Sequence, residues 1–399
     1  LKNRKCPIDG VRVKSCIACK SCSIMSGFGG AGAFSDGKYN ITNDFGGTLY
    51  EYLGKAKALE LMRYVDQINM AYGGEGTKLY STAGTKFKKL CMQNDLHLLD
   101  ASVRHLGTDI NYENERSFNS RWQAEEGDAT YFLRNVADLF GSDDLTVVNM
   151  EGALTEGGER ADKKFAFRGK PEYAKILSSA SVEAATLANN HSQDYGQTGY
   201  DDTIAALDAE GVQSFGYDRI AYLDVKGVKV ALIGSYFPED SAENTKEMTD
   251  NIAAARAEDA QLVIVYVHWG QEHEYDITEG QQTAGRAAID AGADLVVGSH
   301  PHVVQGWEVY QGRYIVYSLG NFCFGGNTNP DDKDCLIFQQ TFTVTGDTVA
   351  KNDDVDFIAA SVSTETDRNT YQPMLAEGDE KARIEAKVQE AADRIAAAA

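Results

Sequence analysis

Leu187-Ala-Asn-Asn-His191, Val265-Tyr-Val-His268-Trp and Val297-Gly-Ser-His300-Pro-His302 each run from an apolar stretch into a polar loop, and each carries histidine where the strand would end. They hold four of the chain's seven histidines. A fourth segment, Val147-Val-Asn149-Met-Glu151, ends the same way on an amide and a carboxylate. Neutral imidazole is the commonest metal ligand, and the C-terminal edge of a sheet holds such rings rigidly while leaving an ion open to substrate. The pattern predicts a metal centre built on a sheet, suited to hydrolytic or phosphate chemistry. The plainer alternative, that each histidine only caps its strand, serves for one histidine and poorly for four together.

Outward from these segments the pattern alternates. Strands are expected at Leu145–Asn149, Ala184–Ala188, Val228–Gly234, Leu262–Val267 and Asp294–Gly298. Helices are expected between them at Glu172–Ala180, Gly199–Glu210, Asn251–Glu258 and Gln281–Ala291. Three consecutive strands follow, Val303–Tyr310, Tyr314–Leu319 and Leu336–Val344, which suits a second sheet packed on the first. A closing helix over about Lys381–Ala398 puts Ile384, Val388 and Ile395 on one face. Within the loops, His300 and His302 on an extended backbone favoured by Pro301 would point to one side and clamp one ion. His268 supplies a third imidazole, and Asn190 and His191 offer an amide oxygen and a proton carrier, unless Asn190 only caps the turn before Asp194. His273, between Glu272 and Glu274, reads as solvated.

With 399 residues the chain is long enough for two or three domains. A net charge of −22 and a pI near 4.7, without clustered Lys and Arg, exclude nucleic acid as a partner. No run approaches the ~18 apolar residues that span a membrane. The first residue is Leu1, which leaves room for an upstream targeting or anchoring segment. An anchor there would place the chain at the cell envelope; without one it would be cytoplasmic.

Residues 1–105 read differently, as an irregular Gly- and Cys-rich α+β fragment with one amphipathic helix over Leu49–Met70. Cys16, Cys19 and Cys22, with Cys6 as a fourth, have the spacing of ligands to an iron–sulfur cluster or zinc; the alternative is a set of reduced thiols in a loop. Gly27-Phe-Gly29-Gly-Ala-Gly32 matches G-x-G-x-x-G but lacks the preceding strand and following helix that give the motif its meaning. The run Cys16-Ile-Ala-Cys-Lys-Ser-Cys22 with Gly27-Phe-Gly-Gly-Ala-Gly-Ala-Phe-Ser-Asp-Gly-Lys38 resembles an internal segment of a family of FAD-dependent dehydrogenases. Most of the Rossmann crevice is missing, so neither FAD nor an Fe–S cluster is expected to bind this fragment alone.

The rest of the chain, from about Gly107 to Gly378, resembles the capsule-synthesis CapA family, associated with poly-γ-glutamate production. The residues that carry the resemblance are Asn149-Met-Glu151-Gly152, Phe165-Ala-Phe-Arg168-Gly169, Ala188-Asn-Asn-His191-Ser-Gln-Asp194-Tyr-Gly196, His268-Trp269-Gly270, Gly298-Ser-His300-Pro-His302 and Ser318-Leu-Gly-Asn321-Phe322. The resemblance implies an α/β fold, a two-sheet αββα sandwich of the calcineurin-like metallophosphatase type over 106–378, followed by a C-terminal helix at 379–399. It implies one or two divalent ions held by Glu151, Asn190, His268, His300 and His302. His191 would be the acid and Arg168 would bind a carboxylate or phosphate oxygen. Zinc, manganese and iron all suit such donors. The family's opening strand ends in Gly-Asp shortly before a Leu-Gly-Thr-Asp-like turn; here the turn is Leu106-Gly-Thr-Asp109 and the aspartate position falls on Val103. Both resemblances meet at this turn, as though a dehydrogenase fragment had been joined there.

Three functions follow as expectations. One is metal-assisted chemistry on an anionic polymer such as poly-γ-glutamate or on a phosphorylated small molecule. The second is a non-catalytic module with a degraded metal site that binds the polymer or other capsule synthesis or export proteins. The third makes the first hundred residues a redox module.

Overall fold

The computed structural model describes residues 38–42, 49–70, 79–81, 102–105, 118–163, 165–351 and 354–398. The chain divides into two compact units, Leu1–Glu126 and Gly127–Ala399. In the first unit, strands β1 (Lys38–Ile41), β2 (Leu79–Ser81) and β3 (Ser102–His105) form an antiparallel sheet with β3 in the middle. The single helix expected over Leu49–Met70 is two helices, Leu49–Leu53 and Lys55–Asn69, because Gly54 between them turns to φ 78°. Its apolar residues are not a core face: Ala58 is buried, while Leu61 and Tyr64 are exposed. The cysteine cluster Cys6, Cys16, Cys19 and Cys22, the Gly27–Gly32 motif and the Leu106–Asp109 turn lie outside the described residues.

The second unit holds the alternating pattern. Its strands are β4 (Val147–Asn149), β5 (Ala153–Leu154), β6 (Arg168–Gly169), β7 (Ala184–Thr186), β8 (Gln213–Phe215), β9 (Ala221–Val225), β10 (Val228–Tyr236), β11 (Leu262–His268), β12 (Leu295–Ser299), β13 (Trp307–Tyr310), β14 (Arg313–Val316), β15 (Asp334–Gln340), β16 (Val344–Thr345), β17 (Thr348–Val349), β18 (Val355–Ser361) and β19 (Met374–Leu375). Strands β4, β7 and β8 pair in parallel in a small sheet. The largest sheet has the order β13-β14-β12-β11-β10-β9, parallel through β10, β11, β12 and β14.

A parallel sheet is buried on both faces, which is why β10, β11 and β12 read as unbroken apolar runs. On one face Ile233, Val263, Val265 and Val296 pack with Met248, Ile252, Ala284 and Ala288 of the helices Ala242–Ala257 and Glu279–Asp290. On the other, Leu232, Ile264, Leu295 and Tyr314 meet Phe338 of β15 and Phe357 of β18. The helix Ala242–Ala257 begins well before the expected Asn251. Its first turns are polar and carry no apolar period, but Ser241 caps them by accepting from the Asn244 N–H at 3.1 Å.

The three strands after residue 303 do not form one second sheet. Gln311 (φ 52°) and Gly312 (φ 76°) make a two-residue turn that folds β13 back on β14, and β14 adds to the large sheet beside β12. Only β15 departs, pairing with β18, and β18 pairs in turn with β19. The closing helix, Gly378–Ala398, buries Ile384, Val388 and Ile395. Among the described residues no helix is long and apolar enough to cross a membrane.

Two features predict measurable behaviour. A Cβ on Gly298 would stand 2.0 Å from the Tyr317 carbonyl oxygen and 2.3 Å from Trp269 Nε1, atoms that are themselves hydrogen-bonded beneath the strand. Gly298→Ala therefore costs about 1–3 kcal/mol or more in denaturant unfolding. The closing helix is pinned by Arg383 and Lys387 on buried Asp334. Burial alone would raise the Asp334 carboxyl, but these hydrogen bonds and charges outweigh it and hold the group below its ordinary value. Such a carboxyl stabilises the fold above its unfolded pKa of about 4, and the contribution disappears as pH falls through the lower folded value. Asp334→Asn thus lowers the melting temperature at pH 7 by roughly 2–4 °C, and the gap to wild type closes toward pH 3.

Candidate metal centre

The parallel register brings the loop mouths together. His268 is the last residue of β11 and pairs with Ser299, the last of β12, so His300 follows directly beside it; their rings are 4.7 Å apart. His302 follows with its ring 6.0 Å from that of His300. The route differs from the extended backbone expected around Pro301. His300 (φ 102°) and His302 (φ 59°) both take left-handed conformations, so the strand ends at Ser299 and a strained turn presents the two rings. Glu151 lies two residues past β4 and Asn190 four past β7, at the same ends of the smaller parallel sheet.

Ligand atoms of Glu151, His268 and His300 lie within 4.8 Å of one another. Glu151 Oε1 is 3.8 Å from His268 Nε2 and 3.8 Å from His302 Nε2. Asn190 Oδ1 is 2.9 Å from His268 Nε2. Five residues expected as ligands, Glu151, Asn190, His268, His300 and His302, are therefore one constellation. Glu272, which the sequence offered only as an acidic neighbour of His273, lies with His300 and His302 in a second group of the same spacing. His273 itself is exposed, and its backbone N–H donates to the Pro301 carbonyl at 2.8 Å.

Outer partners fix the nitrogens. The Asn321 amide donates to the His302 carbonyl at 3.1 Å, which leaves its Oδ1 to accept from His302 Nδ1 at 2.8 Å. His302 Nε2 is then the unprotonated nitrogen, and it faces Glu151. Ser299 Oγ holds His268 Nδ1 at 2.9 Å. Asn189 donates to Asn149 Oδ1 at 3.0 Å, and Asn149 donates to Glu151 Oε2 at 3.2 Å. Sequence reasoning passed over Asn189 and Asn321 as site residues, although both stand inside quoted motifs. Asn189, not Asn190, caps the local turn, accepting from the His191 N–H at 3.0 Å.

The electrostatics suit a cation. Burial, then the neighbouring His300, His302 and His191, holds His268 well below the usual imidazole value; burial and His302 lower His300 likewise. Both are neutral donors at pH 7. Burial raises the Glu151 carboxyl despite the nearby histidines. Glu151 Oε1 and His300 Nδ1 are buried with no hydrogen-bond partner. Such orphaned acceptors and donors cost about 1–3 kcal/mol each, which a divalent ion between them would offset. The residues present thus fit the ion that the donor set implies.

His191 is also buried, its Nδ1 2.7 Å from Asp194 Oδ2 and its ring 4.4 Å from that of Phe167. Lys163 ion-pairs with Asp194 and donates to the Asn190 carbonyl at 2.7 Å. Burial would raise Asp194, but bonds from His191, Lys163 and the Phe167 N–H outweigh it and keep the carboxyl low. A charged Asp194 can only accept, so His191 Nδ1 is the donor in this bond. Arg168 lies on β6 in register with Ala153, its guanidinium 4.7 Å over the Tyr195 ring.

Comparison with known proteins bears on the family of the chain. A family model described as bacterial capsule synthesis protein PGA_cap matches residues 109–326. The PGA biosynthesis protein CapA of Bacillus subtilis is 33% identical over 221 residues, 50% of this chain and 58% of that protein. The capsule biosynthesis protein CapA of Bacillus anthracis is 33% identical over 222 residues, 49% of this chain and 54% of that one. A probable polyglutamine synthesis accessory protein of Mycobacterium tuberculosis is 29% identical over 230 residues, 50% and 59% respectively. The chain spans little more than half the length of these curated relatives. None of the three is named as a dehydrogenase, and the dehydrogenase resemblance of residues 1–105 finds no support in them. With its match over residues 109–326, the chain belongs to the bacterial capsule synthesis protein family that carries the PGA_cap description.

Proposed function

We propose that this chain acts in the synthesis or processing of an anionic capsule polymer of the poly-γ-glutamate kind, through one or two divalent ions held by Glu151, Asn190, His268, His300 and His302. The observation that carries the proposal is the pair of buried, unpartnered atoms, Glu151 Oε1 and His300 Nδ1, beside His268, whose imidazole is held well below its usual value by burial. Its biological setting follows that of the family and of the CapA proteins of the Bacillus relatives. The reading takes the large sheet and the β15-β18-β19 sheet as the two layers of an αββα sandwich of metallophosphatase type. What supports it is the packing of Phe338 and Phe357 against Leu232, Ile264 and Leu295.

A bound divalent ion would polarise a carboxyl or phosphoryl oxygen and ease deprotonation of water. The chain's own groups then divide the remaining work. Asn321, Ser299 and the Asn189–Asn149 pair hold the ligands in orientation. His191, fixed through Nδ1 by Asp194, holds or yields a proton at Nε2. The rings of Phe167 and Phe324 stand 4.4 Å from that of His191 and 5.8 Å from that of His302 and form an apolar flank to the centre. Arg168 offers a guanidinium to an anionic group of the substrate. The same chemistry would serve a phosphorylated small molecule, and other capsule synthesis or export proteins are the natural partners of either reaction.

A second reading has its own observation. Val103 stands in the middle strand of the antiparallel sheet, paired with Asn40 and Tyr80, and brings no carboxylate where the family places one. A chain so altered would bind polymer or partner without turnover. Elemental analysis of wild type and His300→Ala separates the two, together with hydrolysis of poly-γ-glutamate and of a phosphate ester. The proposal expects bound metal and turnover of one substrate, both reduced in His300→Ala. It also expects about 2.7 kcal/mol of added stability at a metal concentration a hundredfold above Kd. Metal content near zero without turnover would leave the binding reading.

A further inference from the structure

We infer that the small cavity lined by Tyr217, Ser235, Tyr236, Phe237, Asn244 and Glu247 receives a primary ammonium group, that of the amino end of the γ-glutamyl chain; this rests on the polymer reading above. The cavity adjoins the centre through Tyr236, the last residue of β10, which pairs with His268 across the sheet and sets its ring 5.8 Å from that imidazole. Its other walls are tied to the same loops. The Tyr217 hydroxyl donates to the Asn189 carbonyl at 2.9 Å, one residue before Asn190. The Phe237 N–H donates to the His268 carbonyl at 2.9 Å. The Asn251 amide donates to the Tyr217 carbonyl at 3.1 Å, which joins the helix Ala242–Ala257 to this wall. A group held in the cavity is therefore positioned by the backbone that positions His268 and Asn190.

The lining decides the charge of the occupant. None of the six residues is basic, and Glu247 brings a carboxylate that makes no hydrogen bond or ion pair among the described residues. An anionic group would face Glu247 without compensation, whereas an ammonium would be paired. The Asn244 amide nitrogen donates to the Glu239 carbonyl at 3.1 Å, which leaves its Oδ1 to accept. The hydroxyls of Ser235 and Tyr236 have no partner among the described residues either, and both can accept from an N–H. Tyrosine rings are favourable walls for a cation. The space, about 20 Å3, admits one group the size of a water molecule or an ammonium. In sequence the lining residues are flanked by exposed Glu239, Asp240 and Glu243, and the neighbouring Lys246 is paired with Asp250 at 2.5 Å. A γ-linked glutamate chain carries a carboxylate on every residue and a single ammonium, at its amino end. Its carboxylates suit Arg168 on β6, and only its amino end suits this cavity.

The test is isothermal titration calorimetry of the full chain with a γ-linked glutamate pentamer, with the same pentamer acetylated at its amino end, and with free glutamate. Wild type is expected to bind the free pentamer about fivefold or more tighter than the acetylated one. Glu247→Gln is expected to remove that preference while leaving the affinity for the acetylated pentamer unchanged. Glu243→Gln, an exposed neighbour outside the lining, is the control and keeps the preference. The inference is overturned, with the polymer reading intact, if wild type binds both pentamers alike, if Glu247→Gln retains the preference, or if Glu243→Gln loses as much. Free glutamate bound as tightly as the free pentamer overturns the chain end in favour of a single amino acid. Binding of neither pentamer overturns the inference and the polymer reading together.

Discussion

Parallel pairing of β11 with β12 is the constraint on which the site depends. His268 opposite Ser299 puts one imidazole at the last position of a strand and the next on the first residue beyond its neighbour. A slip of one residue would turn His268 to the other face and send Val267 to the centre. The register is held by side chains far from the chemistry: Val263, Val265 and Val296 against two helices, Ile264 and Leu295 against the opposite sheet. Gly298 adds a local lock, because only the absence of a side chain lets the Trp269 indole and the Tyr317 carbonyl meet beneath β12.

On this scaffold the centre gathers groups that do not stabilise one another. Burial and the neighbouring imidazoles lower the proton affinity of His268 and His300, and a buried carboxylate stands beside them with one oxygen unpaired. The strained backbone at His300 and His302 adds to the cost. Conflict of this kind persists in a fold when something absent from the chain resolves it, and a divalent cation matches the donor set, the neutral imidazoles and the buried negative charge together. The polar residues behind the ligands have the opposite character. Asn189, Asn149, Asn321 and Ser299 each complete hydrogen bonds to a candidate donor residue or its neighbour, so the chain itself sets the orientation of these groups.

Much of this was legible in the sequence, for identifiable reasons. Strands buried on both faces announce themselves as apolar runs, and a histidine closing such a run is conspicuous, as at His268 and His300; the full set with Glu151, Asn190 and His302 came from the family resemblance, and the fold brings the five together. The proximity of Glu272 to His300 and His302 has no signal in the sequence, because it exists only after the loop folds back on Pro301. The sheet membership of β13 and β14 was misread because alternation shows that a segment is a strand and not which strand it joins; the Gln311-Gly312 turn decides that. The start of the helix at Ala242 was hidden by polar residues whose stability comes from a Ser241 cap rather than from an apolar stripe. The helix pair at Leu49–Asn69 failed in the opposite sense, since its apolar period is present but buries little.

The central claim, that these loop mouths bind a divalent cation, is tested most directly by anomalous diffraction from crystals of the chain soaked in Mn2+. The account predicts an anomalous peak within bonding distance of Glu151, His268 and His300. A map with no peak there, or with its peaks only at surface carboxylates, would contradict it.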